Sequence, residues 1–376
     1  MTFKEKAVGP ESIPVKRVDA IIGRFADTID CDINTKALIV SAEGEGNNFG
    51  LAVGQAFIRQ INQRNGEALL ATHRPFGSQE PRDEGINQLL SQNFNLIIIT
   101  DLNKLGYDAN GRNKPYILAG QEHEDILWLR NDQDSTRVFW FMVNDLNRFL
   151  DTVDIDYQDL SVTAAKYVRA LQLSKKVVIE SGNNLQLEIK TDPRFQARAD
   201  FSFMDQNLGK GGNVPPGEVL VTPDSHGTEG SILINGSFYT DRTVTVNQPV
   251  RLDFRRGRVV NIHGGKEANL LEEYLLEEEK RTKAIMAGND KIGGNYLVNI
   301  RQIAEFAIGI NPKAVFCDDL LIDEKVKGSA HIAIGSSYDG EPAFNHNDLI
   351  VRQPKVIFID EEDREKTVVE AGQLLL

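Results

Sequence analysis

Two kinds of apolar pattern divide this sequence, and they constrain its fold more than any other feature. Up to about residue 175, short unbroken apolar runs such as residues 37–41 and 96–99 alternate with stretches of helical periodicity. Unbroken runs of this length are typical of strands that are buried on both faces, as in parallel sheets covered by helices. From Val177 onward apolar and polar residues alternate, which indicates antiparallel strands with one solvated face.

These patterns predict a protein of mixed class, α/β and α+β. An open α/β domain at residues 1–175 is followed by a β-rich C-terminal domain at residues 176–376, which a helix at about 268–287 interrupts. The chain has 376 residues, more than a single hydrophobic core usually serves, so two domains are expected.

Charge and cysteine usage exclude several function classes. The formal net charge of -13 repels phosphate backbones and anionic lipids, so we expect neither a nucleic acid nor a membrane as partner. Cys31 and Cys317 lie far apart, which argues against a disulfide framework and a thiolate metal site. The N-terminal segment lacks the apolar run of a secretory signal, and no segment reaches the roughly 20 apolar residues that span a bilayer. We therefore expect a cytoplasmic protein.

Two histidines and an aspartate lie in predicted strands near the C-terminus. His331 stands in an alternating segment between glycines, and His346 and Asp348 are two residues apart. Residues i and i+2 of a strand share a face about 7 Å apart, so His346 and Asp348 point the same way. Two imidazoles and a carboxylate suit Zn, Mn, Co or Fe. At this level a hydrogen-bonded polar pair is the commoner explanation of His346 and Asp348.

Two glutamates also stand in unusual settings. Glu218 follows the Gly- and Pro-rich loop 211–217, and Glu305 is flanked by apolar residues on both sides. A carboxylate in an apolar setting is costly unless it is paired or bound to metal. For Glu305, the polar face of a helix end is the competing interpretation.

Five blocks of sequence resemble, in the same order, the metal-site motifs of the aminopeptidase T family, the thermophilic metallopeptidases. They are 213–219 (NVPPGEV), 304–312 (AEFAIGINP), 323–325 (DEK), 328–335 (GSAHIAIG) and 346–348 (HND). The resemblance implies a metal-dependent aminopeptidase, a homodimer, that hydrolyses peptides with a free N-terminus at a site of two divalent ions, either Zn, Co, Mn or Mg. The C-terminal domain would then be the catalytic, metal-binding one.

The same resemblance implies roles for individual residues. The implied metal ligands are Glu218, Glu305, His331, His346 and Asp348, with Glu324 as a further ligand. Glu305 would bridge the two ions and act in catalysis, and Tyr338 matches an active-site tyrosine. Two metals activate a shared water, a carboxylate carries its proton to the leaving amine, and a phenol stabilises the developing oxyanion.

Two alternatives remain open from the sequence. The scaffold also resembles ring-opening dioxygenases of hydroxypyridines, in which His331, His346 and Asp348 would hold a single Fe(II). A protein that keeps the fold with a catalytically idle site is the third hypothesis. The interval of 15 residues from His331 to His346 is shorter than the peptidases lead us to expect, which would alter the substrate pocket.

Overall fold

A computed structural model describes residues 14–42, 48–74, 83–100, 116–118, 121–123, 136–141, 145–182, 184–200, 211–240, 242–288 and 292–376. The helices are α1 Val15–Thr28, α2 Asn48–Gln63, α3 Glu84–Leu90, α4 Leu146–Val153, α5 Tyr157–Gln172, α6 Lys266–Gly288, α7 Asn295–Asn299 and α8 Leu320–Asp323. None of the helices that the structure describes combines the length and the apolar character needed to cross a membrane.

The strands are β1 Lys36–Ala42, β2 Glu67–His73, β3 Leu96–Thr100, β4 Tyr116–Leu118, β5 Gln121–His123, β6 Arg137–Phe141, β7 Ser174–Glu180, β8 Gln186–Thr191, β9 Arg198–Ala199, β10 Gly212–Val214, β11 Glu218–Val221, β12 Pro223–Ile234, β13 Ser237–Tyr239, β14 Thr243–Thr245, β15 Val250–Arg255, β16 Arg258–His263, β17 Ile303–Gly309, β18 Ala330–Gly335, β19 His346–Val351, β20 Lys355–Asp360, β21 Glu365–Glu370 and β22 Gln373–Leu374. Strands β4 and β5 form a separate two-stranded sheet.

The chain forms two compact units whose segments alternate along the sequence. The first unit is drawn from Met1–Tyr116, His123–Asp154 and Ser202–Pro215. The second is drawn from Ile117–Glu122, Ile155–Phe201 and Pro216–Leu376. All of the predicted site residues lie in the second unit.

The first unit contains a five-stranded parallel sheet in the order β10-β6-β3-β1-β2. The unbroken apolar runs form its inner strands, and all five residues of β3 are buried. Helix α2 packs on β1 and β2 and against α1. The ring of Phe25 meets those of Phe57 and Phe141 edge-on, with centroids 6.1 and 5.6 Å apart. The predicted open α/β architecture is confirmed.

Strand β10 is a difference from the prediction. The sequence predicts a loop at residues 211–217, but β10 lies within them and pairs in parallel with β6 at the edge of the sheet. Gly211 allows this approach, because a Cβ there would overlap the carbonyl of Val138. A three-residue edge strand beside glycines and prolines carries too short a pattern to identify from sequence.

The second unit is built from two antiparallel sheets. One has seven strands in the order β14-β13-β19-β18-β17-β11-β9, and the other has eight in the order β16-β15-β12-β8-β7-β20-β21-β22. The predicted hairpin after Val177 is β7 and β8, and the helix predicted at 268–287 is α6. The rings of Phe306 in β17 and Phe358 in β20 lie 6.4 Å apart, so an apolar face of the seven-stranded sheet meets the eight-stranded one.

Candidate metal centre

Four adjacent strands of the seven-stranded sheet carry five of the predicted ligands. These strands are β11, β17, β18 and β19, which lie side by side in the reverse of that order. The ligands are Glu218 in β11, Glu305 in β17, His331 in β18, and His346 and Asp348 in β19. The site is therefore built on paired strands rather than on loops.

The strand register places these side chains on one face. His331 is paired with Ala307, which lies two residues after Glu305 in β17. Glu305 is paired with Ala333, and Ala333 is paired on its other side with Asp348. Directly paired residues share a face of a sheet, as do residues two apart in one strand. Glu305, His331 and Asp348 therefore project together.

The two remaining ligands follow the same rule. Glu218 is paired with Gly309, and His346 is paired with Gly335. Gly335 has φ of 120°, a conformation that favours glycine, at the point where β18 ends. The residues paired with Glu218, Glu305, His346 and Asp348 are thus glycines and alanines, whereas His331 lies between Ala307 and Ile350; the small residues leave open volume among the polar groups.

The other face of these strands is apolar and buried. Its residues are Val219, Phe306, Ile308, Ile332, Ile334 and Leu349. This alternation explains why each sequence block reads as polar and small residues interleaved with large apolar ones. Burial of the apolar face fixes which side of each strand the ligands occupy, because a slip of one residue would turn all of them inward.

The carboxylate of Glu305 lies between the two imidazoles. His331 Nε2 is 3.3 Å from Glu305 Oε1 and 3.2 Å from Glu218 Oε2. His346 Nε2 is 3.8 Å from Glu305 Oε2 and 3.4 Å from Asp348 Oδ1. The two oxygens of Glu305 therefore face different histidines, each of which has its own second carboxylate.

The unsatisfied atoms of this cluster fit a metal. Glu305 and Glu218 are 3% and 7% exposed, and the Oε2 atom of each makes no well-formed hydrogen bond within the described part of the chain. Such buried oxygens are costly in a folded protein unless something binds them. His346 Nδ1 lies 2.7 Å from the Ser336 carbonyl and can donate to it, which turns the lone pair of Nε2 toward the carboxylates. Carboxylate oxygens and imidazole nitrogens are a donor set for divalent metals.

A buried lysine, for which the sequence predicts no role, adjoins the ligands. Lys325 is 1% exposed, and its Nζ lies 2.5 Å from Glu218, 2.7 Å from Glu324 and 3.1 Å from Asp200. Asp200 also accepts hydrogen bonds from the backbone N–H groups of Gly217 and Glu218. Asp200 was missed because no local pattern distinguishes it from other acidic residues.

Glu324 lies beside both Lys325 and the ligand cluster. Its carboxylate, His331 and Asp348 can each bring a donor atom within 4.8 Å of the others. Burial raises the pKa of Glu324 to about 8, against the opposing charge of Lys325. Glu324 is therefore placed where it can either pair with the lysine or reach a metal.

The cluster strongly favours positive charge. Burial alone would lower the pKa of His331, but the carboxylates of Glu218 and Glu305 raise it well above the usual value. For His346 the same competition ends with the pKa raised to about 9, chiefly through Asp348. A space in which imidazoles hold protons so tightly is one in which a divalent cation is also stabilised.

Tyr338 lies at the edge of this cluster, on the segment between β18 and β19. Its ring meets that of His346 at a centroid distance of 5.7 Å. The residue is 45% exposed, yet burial around its hydroxyl, and then the charge of Glu305, raise its pKa well above the usual value. Tyr338 therefore keeps its proton and can donate a hydrogen bond.

Comparison with known proteins shows what the chain and its fold are similar to. A model of the thermophilic metalloprotease (M29) family matches residues 151–347. No curated protein matches the chain in sequence. The structure of a 2,5-dihydroxypyridine dioxygenase from Pseudomonas putida is similar with a TM-score of 0.69 and 13% identity, covering 96% of this chain and 98% of that one. The structure of wild-type AmpT from Thermus thermophilus is similar with a TM-score of 0.62 and 13% identity, covering 96% and 99%. At such identities these two likenesses show the fold alone.

Proposed function

Because this chain belongs to the thermophilic metalloprotease (M29) family, we propose that it is an aminopeptidase, which removes N-terminal residues from peptides with a metal-activated water at a dinuclear site. Family membership makes it a metal-dependent hydrolase. The dinuclear site is proposed mainly because the two carboxylate oxygens of Glu305 face different histidines, His331 and His346. A carboxylate in that position suits a bridge between two ions.

The charge of the cluster supports two ions rather than one. Five carboxylates, those of Asp200, Glu218, Glu305, Glu324 and Asp348, accompany one lysine. When all five carboxylates are ionised and the imidazoles are neutral, the state that metal binding requires, four negative charges remain uncompensated, and two divalent cations would balance them. Buried charge without compensation is strongly unfavourable.

In the proposed mechanism, Glu218, Glu305, His331, His346 and Asp348 would hold the two ions, with Glu324 as a further ligand. When bound, the ions lower the pKa of a water and polarise the peptide carbonyl. Glu305, whose two oxygens face different histidines, would be a ligand shared by the ions, and a carboxylate of the cluster would carry the proton of that water to the leaving amine. The Tyr338 hydroxyl, protonated because its pKa is raised, donates to the oxyanion that forms on the carbonyl.

Further parts of the proposal rest on resemblance to the aminopeptidase T family. The ions are Zn, Co, Mn or Mg, the substrate is a peptide with a free N-terminus, and the enzyme is a cytoplasmic homodimer. Carboxylates and imidazoles together suit Zn, Co and Mn. Mg fits this set of ligands less well, because it favours oxygen ligands.

The test combines metal content with activity. Protein purified without chelator is expected to contain divalent metal at two ions per chain and to hydrolyse leucine p-nitroanilide. Because Glu305→Gln removes the shared ligand, the variant is expected to bind metal and to hydrolyse the substrate roughly tenfold to hundredfold less well. The matched control is Glu370→Gln, which changes an exposed strand glutamate of β21 and should keep both. Absence of metal from the wild type, or hydrolysis unaffected by Glu305→Gln, contradicts the proposal.

A mononuclear Fe(II) dioxygenase is the second candidate. Asp348 Oδ1 lies 3.4 Å from His346 Nε2 and 3.9 Å from His331 Nε2, so two imidazoles and one carboxylate do converge. Against this function, the unsatisfied buried oxygens of Glu218 and Glu305 call for further positive charge. Anaerobic reconstitution with Fe(II), followed by oxygen uptake with a dihydroxypyridine, separates the two. Weak affinity for every metal would instead indicate the idle binding protein.

A further inference from the structure

The segment that carries Tyr338 is tied down at its base. Ser336 donates its backbone N–H to the Asn345 carbonyl at 2.8 Å, which closes the connection between β18 and β19. The Asn345 side chain donates in turn to the Ile300 carbonyl at 3.0 Å. This connection, residues 336–345, is therefore held against the rest of the second unit.

Asp339, next to Tyr338, makes a second attachment. Its Oδ2 accepts a hydrogen bond from the Thr222 hydroxyl at 2.5 Å and another from Arg198 Nη2 at 2.8 Å. The Arg198 guanidinium carbon also lies 5.4 Å from the centroid of the Tyr338 ring. Arg198 is thus fixed by an ion pair and by an aromatic face, with little freedom left to lose on binding a ligand.

Arg198 projects from the same face of the sheet as the metal ligands. In β9 it is paired with Leu220, and Leu220 lies two residues after Glu218 in β11. The Arg198 side chain is 39% exposed. A guanidinium has five N–H donors, and within the described part of the chain only Asp339 accepts from this one. Several donors of a charged group therefore face solvent beside the site.

The distance from Arg198 to the ligand cluster corresponds to only a few residues of a peptide. The Tyr338 ring centroid is 5.7 Å from that of His346 and 5.4 Å from Arg198 Cζ, so the guanidinium lies at most about 11 Å from the His346 ring. An extended peptide covers about 3.3–3.6 Å per residue, and the contacts at both ends occupy part of this span. Only one or two residues fit between a metal beside His346 and a group bound to Arg198.

We propose that Arg198 binds the α-carboxylate of the substrate, which makes this enzyme a dipeptidase in preference to an aminopeptidase on long chains. The inference rests on the proposed function and specifies its substrate. A planar guanidinium forms paired, charge-assisted hydrogen bonds with a carboxylate, and a longer peptide would place its own carboxylate beyond Arg198. Stacking on Tyr338 could alternatively mean that Arg198 only positions the tyrosine, and the experiment separates these roles.

The experiment compares leucylglycine with leucylglycinamide, which differ only in the terminal carboxylate. For the metal-loaded wild type, kcat/KM should be roughly tenfold to hundredfold higher for the acid, the effect of a charge-assisted hydrogen bond. In Arg198→Gln this acid-to-amide ratio should fall to about one, and Arg198→Lys should recover part of it. A residue that only positions Tyr338 would lower both rates and keep the ratio.

Arg194→Gln is the matched control. Arg194 lies four residues earlier, is paired with Asp192, and stacks on Phe195 at 5.4 Å, but it does not contact Tyr338 among the described residues. Its variant should keep the wild-type ratio. A ratio near one in the wild type, or an unchanged ratio in Arg198→Gln, overturns the inference and leaves the proposed function intact.

A binding measurement keeps the two proposals distinguishable if no hydrolysis is found. Isothermal titration calorimetry would use the ketomethylene isostere of leucylglycine, which has no scissile bond, and its amide. Tighter binding of the acid by roughly tenfold or more, lost in Arg198→Gln, supports carboxylate binding by Arg198 even if the protein is not a peptidase. Equal affinity for acid and amide overturns it. If neither the dipeptides nor leucine p-nitroanilide are hydrolysed, that result contradicts the proposed function and not the binding role of Arg198.

Discussion

The stability of the metal-free protein should depend on Lys325. Its ammonium is the cation that accompanies Asp200, Glu218 and Glu324, all within 3.1 Å. Methionine has a similar length and no charge, so Lys325→Met removes the charge with little change of volume. The carboxylates are then left buried without their partner.

The size of the loss follows from these contacts. Removing one partner of a buried ion pair costs about 3–5 kcal/mol. Because burial raises the pKa of Glu324 to about 8, this carboxyl can take up a proton near neutrality, and we expect the lower end, about 3 kcal/mol. With bound metal, Glu218 keeps a cation and Asp200 keeps its backbone N–H donors, so the loss should shrink to about 1–2 kcal/mol.

The assay is urea denaturation at pH 7, followed by circular dichroism, once with EDTA and once with excess Zn²⁺. Lys327→Met is the control, since Lys327 is exposed and two residues away, and it should change the free energy of unfolding by less than about 0.5 kcal/mol. The reasoning fails if Lys325→Met is as stable as the wild type in EDTA, or if Zn²⁺ does not reduce its deficit.

Three further predictions concern other groups. The charge of Asp348 raises the pKa of His346 to about 9, although burial alone would lower it. The metal-free protein should therefore lose stability as the pH rises from about 6.5 to about 9, because the folded state holds the proton more tightly than the unfolded state. Urea midpoints measured across this range test the prediction, and an equal loss in His346→Gln would contradict it. Tyr167→Phe should cost about 1–3 kcal/mol in urea denaturation, because the buried hydroxyl donates to the Val368 carbonyl at 2.7 Å and accepts from the Leu375 N–H at 2.9 Å; an unchanged midpoint refutes this. Burial raises the pKa of Cys31 to about 11, so Cys317, which is less buried, should react with Ellman's reagent first. Cys317→Ser should therefore remove the faster phase of that reaction.

Local periodicity was enough to place part of the site. The alternation around His331 and His346 predicts strands, and strand geometry alone puts His346 and Asp348 on one face, as observed. Glu305 was harder, because its neighbours fit a helix end as well as a strand, and only the register with β18 resolves its direction. Which strands lie side by side depends on long-range pairing, which no local pattern encodes.

The groups around the ligands could not be predicted in the same way. Lys325 pairs with Asp200, which lies 125 residues earlier in the chain, and although Lys325 belongs to the block 323–325, nothing in its local sequence indicates that it is buried or which acids it contacts. Arg198 belongs to a strand of two residues, too short for any alternation. Such partners are brought together by the tertiary fold, so burial and distance reveal them, and composition and spacing do not.

Placing the ligands on strands and Tyr338 on a connection has an evolutionary consequence. The positions of Glu305 and His331 are set by backbone pairing across a sheet whose far side is packed, so mutations there are expected to be tolerated rarely. Residues 336–345 connect two strands, and apart from Ser336, whose carbonyl lies against His346, their length and sequence can vary more than those of the strands. Substrate preference can therefore diverge while the strands that carry the candidate ligands are kept, since a fold does not by itself fix a reaction.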